Sequence, residues 1–159
     1  MAGRAALAAY NALITRLQTI QGGPTYWTNF AGRVYRPLWL PEEGKAEVPY
    51  VCVPLFDPSV QFDSDEGPMI RAKWTQPVFI FVGETSTDDM VANAPDDIMN
   101  ALDDVVKAMQ SDWKLGGTVE NSTIDGVAWF SAETPDIRYG ALRVDIGINC
   151  YLPVENLGP

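Results

Sequence analysis

The chain has no histidine, and that absence excludes more chemistry than any motif in it suggests. Ser-His-Asp and Cys-His nucleophilic sites require an imidazole, and so do the commonest zinc sites. The two cysteines, Cys52 and Cys150, cannot complete a structural zinc site or a disulfide framework. Each sits inside an apolar, strand-like run, the pattern of a free buried thiol in a reducing compartment. Basic residues are also scarce, with 11 Lys and Arg against 21 Asp and Glu and a net charge of -10. Indiscriminate adhesion to DNA or to an anionic membrane is thereby disfavoured. No run approaches the roughly 20 apolar residues of a membrane helix. Near the N-terminus, Arg4 precedes an Ala-rich stretch as in a signal peptide, but Asn11, Thr15, Arg16 and Gln18 interrupt any apolar h-region. There is no GxGxxG, no GxxxxGK[ST], no internal repeat and no Gly/Ser linker.

What remains is one domain spanning residues 1–159, with 47% hydrophobic residues to build its core. Leu7, Tyr10, Leu13, Ile14, Leu17 and Ile20 recur at the three-and-four spacing of one buried helical face, predicting a helix over 4–21 that Gly22-Gly23-Pro24 stops. Strands are expected over 33–40, 49–56 and 70–82, the first two interrupted by Pro37 and Pro54. The third turns apolar on both faces at Val78-Phe79-Ile80-Phe81-Val82, which suggests a central position. A second helix should start near Asn93-Ala94-Pro95-Asp96-Asp97 and bury Ile98, Leu102, Val105, Val106, Met109 and Trp113 before Gly116-Gly117 ends it. Asp125-Gly126 between strand formers over 118–124 and 127–130 predicts a hairpin. Leu142, Val144, Ile146, Ile148, Cys150 and Leu152 alternate with polar residues, the mark of a strand with one buried face. The expected fold is α+β, a mostly antiparallel sheet with two helices packed on one face.

Carboxylates are the abundant reactive groups. An acidic loop over 57–68 contains Asp63-Ser64-Asp65-Glu66-Gly67, which resembles the start of a calcium loop. The twelfth position counted from Asp63 holds Trp74 instead of glutamate, and the glycine falls one position early. Asp63, Asp65 and Glu66 are therefore expected to form a solvated or lumen-facing acidic loop without a metal. Asp88-Asp89, before the second helix, and Asp103-Asp104, on its polar face, are read as solvated charge and not as a glycosidase-like pair. No catalytic residue and no cofactor are assigned. Arg33, Arg36, Arg71 and Lys73 form the one basic concentration, interleaved with Tyr35, Trp39 and Trp74. Such a mixture could stack bases and hold phosphates, but at this net charge a subunit contact or a charged outer sheet face is the better reading. Phe62, Trp39 and the loop aromatics Tyr26, Trp27 and Phe30 suit either subunit contacts or the core.

The layout resembles the tail terminator proteins of long-tailed, non-contractile phages. The resemblance spreads over nearly the whole chain. It rests on the N-terminal helix ending near Ile20 and on the loop and strand leading to VFIFVGETS. It rests also on the helix through IMNALDDVVKAMQ closed by LGG, and on the late alternating strand RYGALRVDIGINCYLP. The resemblance implies a ring, usually a hexamer, that caps the tail tube, stops its polymerisation and later joins the head connector. Its partners would be other copies of itself, the major tail tube protein and the connector or stopper, with DNA passing through the lumen unbound. It would be assembled in the host cytoplasm and end in the virion, without a membrane. Arg33, Arg36, Trp39, Phe62, Arg71 and Lys73 are then candidates for the ring or tube interface. Another neck component (head-tail adaptor or stopper), a monomeric ligand-binding domain and a carboxylate enzyme remain as alternatives.

Overall fold

The computed structural model describes residues 5–36, 49–55, 61–63, 69–85, 87–133 and 138–153. The elements run α1 (Ala5–Gln18), β1 (Val34–Tyr35), β2 (Tyr50–Cys52), β3 (Gln61–Asp63), β4 (Met69–Thr85), α2 (Thr87–Ser111), β5 (Asn121–Glu133) and β6 (Arg138–Pro153). They form one sheet in the order β1-β2-β4-β6-β5, and β3 pairs with β4 beside the end that β2 leaves open. Every pairing is antiparallel except β1 with β2. The expected α+β class is what the chain adopts, with β4 central in the sheet.

Both helices pack on the face formed by alternate residues of the long strands. Trp74, Val78, Ile80 and Val82 of β4 and Leu142, Val144, Ile146 and Ile148 of β6 meet Leu13, Ile14 and Leu17 of α1 and Ala101, Val105 and Met109 of α2 in one buried cluster. Tyr10 anchors α1 by donating its hydroxyl to Val53 O at 2.5 Å. Arg16 donates to Ala108 O at 2.7 Å and to Ser111 Oγ, placing a cation where the dipole of α2 ends. The opposite face is apolar only at one end, where Tyr50 stacks on Phe81 at 4.7 Å and Tyr35 meets Tyr50 edge-on.

Pro77 lies inside the central strand, where a proline should break the ladder. Val51 and Val53 donate to Arg33 O and Tyr35 O, so Tyr50 and Cys52 turn their amides toward β4 and pair with Phe81 and Phe79. By alternation, the Pro77 nitrogen points to that same side, into the interval between β2 and β3 where no described strand runs. Buried Gln76 occupies this region and donates to Pro54 O at 2.7 Å.

Several expectations are corrected. Helix α1 stops at Gln18, and Leu7 is exposed, because Ala9 instead of Leu7 completes the buried face. Helix α2 begins at Thr87 and contains Pro95, so Asp88-Asp89 belong to its first turn and not to a preceding loop. Trp113 lies past the helix end and is half-exposed. There the chain turns through Leu115, Gly116 and Gly117, all at positive φ, with the Gly116 amide donating to Asp112 Oδ2 at 2.8 Å. The leftward turn is cheap at the two glycines and strained at Leu115. Asp125-Gly126 forms no hairpin. Strand β5 continues through it along β6, and the register shift between Ile124 and Gly126 makes Asp125 the extra residue of a β-bulge. The acidic stretch is not all loop, since Gln61–Asp63 forms β3. Four strands therefore precede α2 and two follow it, instead of three and three.

Candidate functional site

The basic quartet does not form one site. Arg33 and Arg36 flank β1, where Arg33 Nε donates to Pro49 O at 3.0 Å and the Arg36 guanidinium lies 5.1 Å over the Tyr10 ring. Burial raises the Tyr10 phenol above its usual pKa, and the hydrogen bond and charge of Arg36 oppose that rise. Arg71 and Lys73 stand near the other end of β4, beside β3. From Arg71 to Phe79, which pairs with β2, the strand rises about 27 Å at roughly 3.4 Å per residue. The two pairs come from the flanks of β1 and from β4, strands that β2 separates and that do not pair with each other.

Arg71 donates from Nη2 to the Tyr151 hydroxyl at 2.7 Å and lies 3.5 Å from Glu120. With Lys73, Gln61, Phe62 and Asn149 it lines a shallow hollow of about 300 Å³. Lys73 has no ion-pair partner among the described residues. Phe62 is largely exposed, and of Asp63 only its place in β3 is described. Trp39, Asp65 and Glu66 lie outside the described residues.

A larger cavity of about 380 Å³ opens between the segment after α1 and the turn of α2 that carries Asp97 and Asn100. Trp27, Thr28, Asn29, Pro49, Val82, Asp97 and Asn100 line it, and Trp27 is 79% exposed. Burial, and then the neighbouring Asp96 charge, raise the Asp97 carboxyl above the usual range. The loop that bears Trp27 is tied down by a residue misread in the sequence. Asp104 is 2% exposed, so it does not lie on the polar face of α2. It accepts the backbone amides of Trp27 at 3.1 Å and Thr28 at 2.6 Å. Lys107, one turn on, donates to Thr25 O at 2.6 Å. An Asp four residues after Asn100 and three before Lys107 carries no signal of its own; only the fold of the preceding loop gives it a role.

Cys52 and Cys150 are free and buried. Burial pushes the Cys52 thiol up to about 12 and raises that of Cys150. A raised thiol pKa keeps the nucleophilic thiolate scarce. Among the described residues no three His, Cys, Asp or Glu side chains group as metal ligands. Among them, too, no helix is long and apolar enough to cross a membrane. The aromatics expected at contacts divide: Phe30 is fully buried, Tyr26 is packed against the core, and Trp27 and Phe62 face solvent.

No protein-family model matches the chain, and no curated protein matches it.

Proposed function

We propose that the protein is a ring-forming structural subunit that caps a phage tail tube, stops its growth and joins the tail to the head connector. The observation that supports this reading is the layout of the fold. A helix, a central strand, a long helix closed at Leu115-Gly116-Gly117 and a long alternating last strand follow in the order the resemblance implies. The mechanism is geometric: one ring face docks on the last tube ring, and the other offers no tube-like surface. Six copies are expected, with the tube protein and the connector as neighbours and DNA passing through the lumen without specific binding. A lumen lined by carboxylates would repel phosphates. Asp63, Asp65 and Glu66 are the candidates for that lining, and Arg33, Arg36, Arg71 and Lys73 for contacts between copies. The site for such work would be the virion neck, assembled in the host cytoplasm, without catalysis, metal or cofactor.

A head-tail adaptor or stopper would share this structural class and differ in ring partner. A monomeric ligand-binding domain is favoured by one observation, the 380 Å³ cavity beside exposed Trp27. Mass measurement by light scattering, alone and with tail tubes, separates the readings: six copies per particle support a neck ring, and a strict monomer under both conditions refutes it. Loss of the protein should leave phage with tails of unregulated length, and normal tails would exclude the terminator role.

A further inference from the structure

The two edges of the sheet are built differently. One is fragmented: β1 has two residues, β3 has three, and Pro77 breaks the interval between β2 and β3. The other is β5, thirteen residues long and paired only to β6 among the described strands. Natural edges of that length are usually blunted by lysine, proline or inward charge. Strand β5 contains no Lys, Arg or Pro, and its charged residues are Asp125, at the bulge, and Glu133, at its end. Among the described residues its start is capped, by the Ser122 amide donating to Trp113 O at 2.9 Å. Past the bulge, alternation along the ladder turns the backbone groups of Val127 and Trp129 away from β6, toward the free edge. Trp129 is 55% exposed there.

The register across the sheet says what fits this edge. Trp129 pairs with Leu142 and Leu142 with Ile80, while Val34 pairs with Val51 and Val51 with Ile80. Trp129 and Val34 therefore stand at the same height on opposite edges, and both point to the helix-bearing face. By the same path through Phe79, Ala128 stands level with Tyr35 on the other face. Ala128 is small and exposed, and Tyr35 is 40% exposed. Strand β1 also runs antiparallel to β5, the direction that an added strand pairs best.

We infer that the β5 edge of one copy pairs antiparallel with the β1 edge of the next copy, head to tail, with Trp129 against Val34 and Tyr35 against Ala128. The contact rests on the ring reading and names its interface. It joins two strips that carry little charge, so an acidic chain can meet itself there. In the same register Arg36 stands opposite Val127 of the neighbour and Arg33 opposite Phe130. Unlike ends meet, so the contact repeats around a ring and does not stop at a dimer.

The test is a disulfide between Ala128→Cys and Tyr35→Cys in one chain. Within a single copy the two edges are four strand spacings apart, about 19 Å, beyond the roughly 7 Å a disulfide can span. Mild oxidation should give a ladder of covalent oligomers on a non-reducing gel, and neither single variant should cross-link. Dimers from Ala128→Cys alone would mean that β5 pairs with β5, and would overturn the proposal. Absence of the ladder while light scattering shows a ring overturns the edge pairing and leaves the ring reading standing. A strict monomer, alone and with tail tubes, overturns both. If Tyr35→Cys impairs folding, Trp129→Glu at its exposed site decides the matter. With native circular dichroism, it should raise the concentration needed for ring formation at least tenfold, and an unchanged ring counts against the contact.

Discussion

Replacing Asp104 by Ala tests how the loop over the cavity is held. The carboxylate accepts two backbone amides, from Trp27 and Thr28, while almost fully buried. Hydrogen bonds to a charged group are worth about 1.5–3 kcal/mol each, and an orphaned buried donor costs about 1–3 kcal/mol. These are two descriptions of one loss and are not to be added. Partial re-solvation of the freed amides lowers the total, so Asp104→Ala should cost about 3–4 kcal/mol. For a domain of this size each kcal/mol lowers Tm by roughly 2–4 °C, and the expected fall is about 10 °C. Asp104→Asn keeps one carbonyl oxygen and should lose about half as much. Asp103→Ala is the control, because Asp103 is exposed and surface changes usually stay within about 0.5 kcal/mol. Scanning calorimetry gives the ranking, and amide hydrogen exchange at Trp27 and Thr28 locates it, since both amides should exchange faster in Asp104→Ala. Equal Tm values for the Asp103 and Asp104 variants, with unchanged exchange at both amides, would refute the reasoning.

Ile146 is fully buried between the helices and the sheet, and Ile146→Ala should cost about 2–5 kcal/mol in urea unfolding. Cys52 and Cys150 should both resist a thiol reagent at pH 8 in the native protein and both react in denaturant; rapid native labelling would contradict their burial. Because burial lifts the Cys52 thiol to about 12, the unfolded chain loses that proton first as pH rises. This contribution to stability is full below the ordinary thiol pKa and declines above about pH 9, which denaturation midpoints between pH 8 and 10.5 will show. Charge reversal at Arg33 and Arg36 takes each copy from -10 to about -14 and adds to the repulsion, so it should give folded monomers by light scattering, whereas intact rings would remove both residues from the contact.

The α+β class and the faces of α1, β4 and β6 were legible because their patterns are local: a helical stripe, a two-sided apolar run and a strict alternation. The rest depended on partners that a sequence does not display. Asp125-Gly126 is a turn signal when its flanking strands pair with each other, and a bulge when both pair with a third strand. Strand β6 supplies that third strand along the whole length of β5. The early start of α2 was hidden because Pro95 marks a first turn more often than an interior. Among the site residues, Arg33 and Arg71 read as neighbours because both lie in basic, aromatic-rich segments, yet β2, which carries β1, and β3 pair with opposite ends of β4. Asp104 resembled its exposed neighbour Asp103 until the loop carrying Trp27 folded against α2.

Charge limits how copies of this chain can meet. At -10 each, six copies in a closed ring would gather about 60 negative charges. The described cations offer little relief. Arg16 holds the two helices together, Lys107 holds the loop before β1, and Arg143 pairs with Asp145 at 2.8 Å on its own strand. Exposed ion pairs contribute about 0–1 kcal/mol each, so a few of them cannot offset repulsion on this scale. Backbone pairing can contribute without adding charge, because Val127 and Trp129 turn their amides and carbonyls out from the β5 edge, although the Val34 amide already donates to Gly32 O at 2.9 Å. On the proposed reading, the ring is held by the nearly uncharged β5 edge and the aromatics at its rim. Added salt should then strengthen assembly by screening the general repulsion, and it would weaken a ring held chiefly by arginine–carboxylate pairs. The sign of the salt dependence thus separates a contact made by strands from one made by charges.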